Sequence, residues 1–335
     1  MLDSGDSGET FDAGTTDTHI ADAGRETADT GPLRDAHAPA DTSAGPSLEA
    51  SAATVDTGTT PTPDTGGAGL QDTATPQSFD TLATQAKHNA VDHAIRNSVP
   101  GRQAELEALR NEPNNARLGP THSPKALGSH NMETGEIVCR NGLTNAQAAH
   151  VAQHEFTHKA SFQDLRTTET ADTIQTEKTS GIHTVVRETN KATGEITTVR
   201  DSYRSLNEGF TERETLATEK EVYGQVTSCG LKCYSLNMDY AAQLETLVGR
   251  DTVTAAYYSG DLKGMTDAVN RLAQDETAWN SLNEKLDALC NPKDNLTPQE
   301  LGQLVCTRME LDTLMAKMAQ NKAQLEAAKQ NGGNT

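Results

Sequence analysis

Thr144-Asn145-Ala146-Gln147-Ala148-Ala149-His150-Val151-Ala152-Gln153-His154-Glu155-Phe156-Thr157-His158 is the stretch from which the rest of this chain is read. Thr144 is a good helix N-cap, and Gln147 stands three residues on, the spacing of a capping box. A helix is predicted from here to about Phe162. Projected at about 100° per residue, Gln147, His150, Val151, His154 and His158 share one face, and Ala148, Ala149, Ala152 and Phe156 lie opposite. The small and aromatic side is expected to pack on the body, leaving the imidazoles toward a cleft. His154 and His158 are one turn apart, so their Cβ atoms lie about 5–6 Å from one another. That suits two ligands of one tetrahedral Zn²⁺, with Glu155 held between them. His150 is read as cleft-lining or solvated, because a fourth ligand would close the open position of a catalytic site.

Fifty residues on comes Leu206-Asn207-Glu208-Gly209-Phe210-Thr211-Glu212. Glu208 and Glu212 are again one turn apart, and spacing alone leaves either as third ligand. Two His and one Glu, with water in the fourth position, make a catalytic rather than a structural zinc site.

Outside these stretches the chain divides by composition. Residues 1–78 consist mainly of Asp, Thr, Ala, Gly, Ser and Pro, with Phe11 as their one aromatic, and they carry fourteen acidic residues against Arg25 and Arg34. So little apolar surface cannot offset chain entropy, and the composition predicts a disordered acidic leader. The whole chain carries a formal net charge of −20. An acidic chain without basic stripes argues against nucleic acid and anionic membrane as partners. No run of eighteen apolar residues is present, so no membrane span is expected. The N-terminus shows no basic region followed by an apolar one. The expectation is a cytoplasmic protein or one exported without a classical signal, such as a bacterial effector or toxin. Five cysteines, Cys139, Cys229, Cys233, Cys290 and Cys306, are odd in number and scattered, so they do not form a disulfide framework. Cys229 and Cys233 are read as ordinary thiols or a local bridge.

Order is expected to begin near Phe79. Helices are predicted over 79–98 and 102–111, and a hairpin over 125–140 around Glu133-Thr134-Gly135. Residues 163–180 read as a polar loop, 182–200 as a second hairpin, and 207–223 as a helix. From Leu236 onward everything reads helical, with breaks at Gly249, Gly260 and Asn291-Pro292. Thr297-Pro298-Gln299-Glu300 starts a long last helix. Its Leu301, Leu304, Leu311, Met315, Met318 and Leu325 follow 3-4 spacing, as a bundle seam does. The resulting segments are 1–78 leader, 79–118 N-terminal helices, 119–223 site-bearing core and 224–330 helical subdomain. His88 and His93 are not expected to face one another, and His183 is read as surface.

The pair of motifs resembles the gluzincin branch of the zincin metallopeptidases, over roughly residues 120–225. It is also similar to bacterial metallopeptidase-like proteins whose second motif reads L-N-E-G-x-T-E. In those, a later stretch resembles Leu244 to Gly249 and Ala256 to Asp261. The resemblance implies an α+β, zincin-like core with a mostly helical C-terminal subdomain, and hydrolysis of peptide bonds in a protein or peptide substrate. It implies His154, His158 and Glu208 as metal ligands, Glu155 as the residue that activates water, and Glu212 as the carboxylate that orients a ligand histidine. Two features depart from the pattern. The gap between His158 and Glu208 is long, and no histidine follows His183. An oxyanion-stabilising group must then be Tyr, Arg or an upstream His, with Tyr240, Tyr257 and Tyr258 as candidates. The readings from other classes are a non-catalytic zinc-binding protein and a helical interaction protein.

Overall fold

A computed structural model describes residues 77–332, apart from 99, 122–125, 133, 225–233 and 294. The expected leader, apart from Gln77 and Ser78, lies outside these residues, as do Lys125, Glu133, Cys229 and Cys233. Ser78 belongs to the fold: its Oγ accepts the Thr81 N–H and caps the first helix.

The chain is mixed α+β. Helices α1 (Phe79–Asn97) and α2 (Gln103–Asn111) come first, then strands β1 (Ala116–Gly119), β2 (Gly128–His130) and β3 (Ile137–Arg140), then α3 (Asn145–Ala160). Strands β4 (Gln163–Glu169), β5 (Thr173–Ser180), β6 (His183–Asn190) and β7 (Ile196–Ser202) follow. The rest is helical: α4 (Arg204–Tyr223), α5 (Ser235–Val248), α6 (Arg250–Ser259), α7 (Leu262–Ala273), α8 (Ala278–Cys290) and α9 (Pro298–Gly332). No helix among the described residues is long and apolar enough to cross a membrane.

Strands β1 to β3 form a sheet ordered β1-β3-β2. β1 runs parallel to β3, and β2 runs antiparallel to it at an edge. The expected hairpin is thus present, with Gly135 at φ +65°, and the parallel β1 is an addition to it. The capping box is also present: Thr144 Oγ1 accepts the Gln147 N–H and Gln147 Oε1 accepts the Thr144 N–H. α3 lies between this sheet and α1, where Val151, Ala152 and Phe156 pack with Ala83, Ala86, Ala90, Ile137 and Cys139. Burying these apolar side chains contributes roughly 25 cal/mol per Å² to holding α3 against the sheet. A second cluster joins α1, α2 and α4 to α9, with Leu106, Phe210, Leu244, Tyr257, Trp279 and Met315 among its members.

Three expectations are corrected. Residues 163–180 are not a loop but strands β4 and β5 of a four-stranded antiparallel sheet, ordered β4-β5-β6-β7. That sheet buries few side chains, so its Thr-rich strands have no apolar alternation to read, although Thr itself favours strands. α4 begins at Arg204, a turn earlier than expected, which places Asn207 inside the helix. Finally, the last-helix seam is confined to its middle: Leu311, Met315 and Met318 are buried, but Leu301 and Leu325 are exposed.

Candidate metal centre

α4 crosses α3 so that the carboxylates of one meet the imidazoles of the other. Gly209 permits the neighbouring crossing. A Cβ there would collide with the backbone carbonyl of Asn237, so only glycine lets α5 lie this close to α4. Asn207 secures the start of the motif from the other side, its Oδ1 accepting the Ile182 N–H at 3.0 Å.

His154 Nε2 and His158 Nε2 stand 3.1 Å apart, and Glu208 Oε2 lies 3.2 Å from each. A tetrahedral ion with bonds of about 2.0–2.1 Å sets its donors about 3.3 Å from one another. The three donor atoms therefore form a triangle of the size such an ion requires. The carboxylates and His154 bear on one another's charge. Accordingly, burial opposes charge on His154, but its hydrogen bonds to Glu208 and Glu212 outweigh it and hold the imidazole well above its ordinary range. Burial likewise works to raise Glu208, and is overcome by the charge of His158 and the bonds from His154 and His158, which hold it well below the carboxylate range. A cation bound by these three donors would displace any proton that they hold.

Each imidazole is held from behind. His154 Nδ1 donates to Glu212 Oε2 at 2.8 Å, leaving Nε2 for the triangle. His158 Nδ1 donates to Thr211 Oγ1 at 3.2 Å, and the Thr211 hydroxyl donates to Asn207 O at 2.8 Å. Tyr257 OH closes this chain with a bond of 2.7 Å to Thr211 Oγ1. Glu212 thus faces the outer nitrogen of His154, and Glu208 faces both inner ones. The two glutamates that spacing left equivalent are separated by geometry.

His150 lines a cavity of about 340 Å³ together with Gln153, Glu219 and Tyr223, as one of its two readings had it, but it is buried and not solvated. Its Nε2 reaches Glu212 Oε1 at 3.1 Å and its Nδ1 reaches Glu219 Oε1 at 2.8 Å. Burial disfavours its charge, but the bonds to both carboxylates raise its pKa to about 10. Burial also disfavours charge on Glu212, and the bonds from His150 and His154 nonetheless lower it to about 2. The chain Glu219–His150–Glu212–His154 is a continuous line of charge-assisted hydrogen bonds.

Glu155 is buried beside the triangle, and among the described residues its carboxylate accepts no hydrogen bond. Burial raises its pKa, with the charges of His154 and His158 pulling the other way. Edge strand β2 runs past it so closely that a Cβ on Gly128 would meet Glu155 Oε1 at 2.5 Å.

The three candidate tyrosines are placed otherwise than expected. Tyr240 OH donates to Asp312 on α9, Tyr257 OH is engaged by Thr211 behind His158, and Tyr258 OH donates to Glu214 at 3.2 Å. All three are buried, with their hydroxyls turned to protein partners. Two residues that sequence reasoning passed over lie nearer. Tyr234, partly exposed ahead of α5, stacks on the His154 ring with centroids 5.2 Å apart and planes 9° apart. His130, on β2, is lowered to about 3 by burial and by the positive charges of His158 and Lys159. Neither carried a motif; only β2 and the start of α5 being brought to α3 singles them out. Of the remaining histidines, His93 is buried between Glu214 and Glu221, and His183 bonds Asp201 at 2.7 Å on the second sheet.

Comparison with known proteins adds no relative: no family model matches the chain, and neither the curated proteins nor the solved structures contain a match.

Proposed function

We propose that this chain is a zinc-dependent metallopeptidase with a zincin-like core, the activity that its motifs' resemblance to gluzincins implies. The observation that carries the reading is the triangle of His154 Nε2, His158 Nε2 and Glu208 Oε2, with edges of 3.1–3.2 Å. Two imidazoles and one carboxylate suit zinc and leave a coordination position open. A cation held there supplies a Lewis acid that polarises a carbonyl and makes water acidic near neutral pH. Glu155 is the base in this scheme. Its buried carboxylate takes a proton from the attacking water and later delivers it to the leaving amine, and its raised pKa suits both transfers. Glu212 and Thr211 hold the two imidazoles in the tautomer that turns Nε2 inward. Edge strand β2 offers backbone groups to an extended peptide.

The test uses the full chain. Zinc is expected at about one per chain, since the three donors make one tetrahedral set. Glu155→Gln keeps the zinc and lowers hydrolysis of a peptide library by on the order of 10²–10⁴. Glu208→Gln loses zinc and activity together. Wild type that holds zinc yet is as inactive as Glu155→Gln on every peptide tried would remove the peptidase reading in favour of a zinc-binding protein.

A further inference from the structure

The four strands inserted between the site helices supply no donor to the triangle, yet their first strand starts beside it. The Gln163 side-chain amide, at the head of β4, donates to His158 O at 2.6 Å and to Ser180 Oγ at 3.0 Å, which ties this corner of the sheet to the end of α3. β4 is an edge strand, pairing with β5 on one side. β2 is the edge strand of the other sheet. Its Leu127 and Asn131 bond toward β3, so by the alternation of an antiparallel ladder Gly128 and His130 turn their backbone groups outward. Two strand edges therefore flank the neighbourhood of Glu155 and His158.

A cavity of about 160 Å³ lies where they converge, lined by Met132, Gln163, Asp164, Leu165 and Lys178. Three consecutive residues of β4 line it. Gln163, Leu165 and Lys178, the ladder partner of Leu165, share one face of the sheet, so the cavity opens onto that face at the head of β4, opposite Met132. Met132 lies two residues beyond His130. Leu165 is 58% exposed, and Lys178, its partner across the ladder, has an aliphatic stem that can line an apolar wall.

Resting on the peptidase reading, we propose that the inserted sheet is the second wall of the substrate channel. An extended peptide passes between the edges of β2 and β4. The cavity between Met132 and Leu165 receives an aliphatic side chain about two to three residues from the cleaved bond, the reach of β2 from His130 to Met132. Leucine and methionine match its walls, and a charged residue is disfavoured there.

Two measurements on the full, zinc-loaded chain test this. In the first, Glu155→Gln binds a library of blocked ten-residue peptides while backbone amide exchange is followed. Slowed exchange in both 128–130 and 163–169 is expected. Slowing in β2 alone, or in neither strand, overturns the proposal. In the second, the library is digested by Leu165→Asp and by Val199→Asp, an equally exposed change on the far edge strand β7. Leu165→Asp lowers the preference for leucine and methionine over alanine at one position by about ten-fold, the usual worth of an apolar pocket contact; Val199→Asp leaves the profile as in wild type. Cleavage by Leu165→Asp with an unaltered profile overturns the channel and leaves the peptidase standing. Wild type that cleaves nothing, while Glu155→Gln still shows both strands slowed, keeps the channel and removes the peptidase.

Discussion

Glu212 and Glu214, two residues apart on α4, are both buried and both meet histidine, yet they build unlike networks. Glu212 bonds His154 and His150, and both its partners are titratable. Glu214 bonds His93 at 2.9 Å, but it also receives Arg250 through two hydrogen bonds of 2.5 and 2.7 Å, with Tyr258 adding a third partner. Arginine keeps its charge at any working pH and binds a carboxylate as a fork. The Glu214 network therefore ties α4 to α1 and α6, and the charge that faces its carboxylate comes from arginine as well as histidine. The Glu212 network is balanced by imidazolium alone, and its inner end, His154 Nε2, faces a second imidazole and a carboxylate. A buried His–Glu pair is a metal-site candidate when its charge can leave as protons, and a clasp when arginine locks it.

Breaking the clasp should have the larger effect on the fold. Glu214→Ala leaves Arg250 and His93 without their carboxylate. Stability to urea should fall by about 3–5 kcal/mol, the cost of removing one partner of a buried pair, while the folded fraction keeps its zinc. Loss of zinc in step with Glu212 variants at equal stability would show the two networks to be one.

Glu212→Gln sharpens the contrast from the other side. Zinc affinity should fall about 10–100-fold, as for carboxylates that orient a ligand histidine, with stability measured in chelator changing less than for Glu214→Ala. A complete loss of zinc there, with Glu208→Gln retaining it, would exchange the ligand assignments.

The titration of the metal-free chain should carry the signature of the Glu212 network. His150 is raised to about 10 from an ordinary 6.5, so its stabilisation is present in full below pH 6.5 and is lost as pH rises toward 10. Glu212 is lowered to about 2 from 4.5, so its stabilisation is present above pH 4.5 and is lost as pH falls toward 2. Melting temperature in chelator should accordingly be highest between pH 4.5 and 6.5. His150→Gln should flatten the alkaline limb; an alkaline limb unchanged in that variant would place its origin elsewhere.

The smallest effect is expected at Tyr234. Its ring covers His154, and a stacked aromatic pair contributes about 0.5–1.5 kcal/mol beyond burial. Tyr234→Ala should weaken zinc binding by roughly two- to ten-fold, the equivalent of that energy, and Tyr234→Phe should restore it. Equal losses in both variants would assign the effect to the hydroxyl instead.

Much of this was legible before any fold was drawn, because it depends on contacts within one helix. Thr144 and Gln147 dictated where α3 starts, and a helical turn of four residues put His154 and His158 on one side. The same local rule left Glu208 and Glu212 indistinguishable, since both leave the same face of α4. Only the angle at which α4 lies across α3 sets one against the inner nitrogens and the other against the outer one. His150 was only half placed for a related reason: it lines a cavity, but it is buried. Its face was aligned with His154 and His158, but whether that face met solvent or Glu219 depended on an element 69 residues away. Tyr240, Tyr257 and Tyr258 looked alike in sequence, and long-range packing gave each hydroxyl a different buried partner. The strands β4 and β5 were hidden because a sheet that buries little writes no apolar alternation into its residues. Local hydrogen bonding and helical periodicity act over four residues and can be read from the chain; orientation, burial and strand pairing arise between distant segments and exist only once they meet.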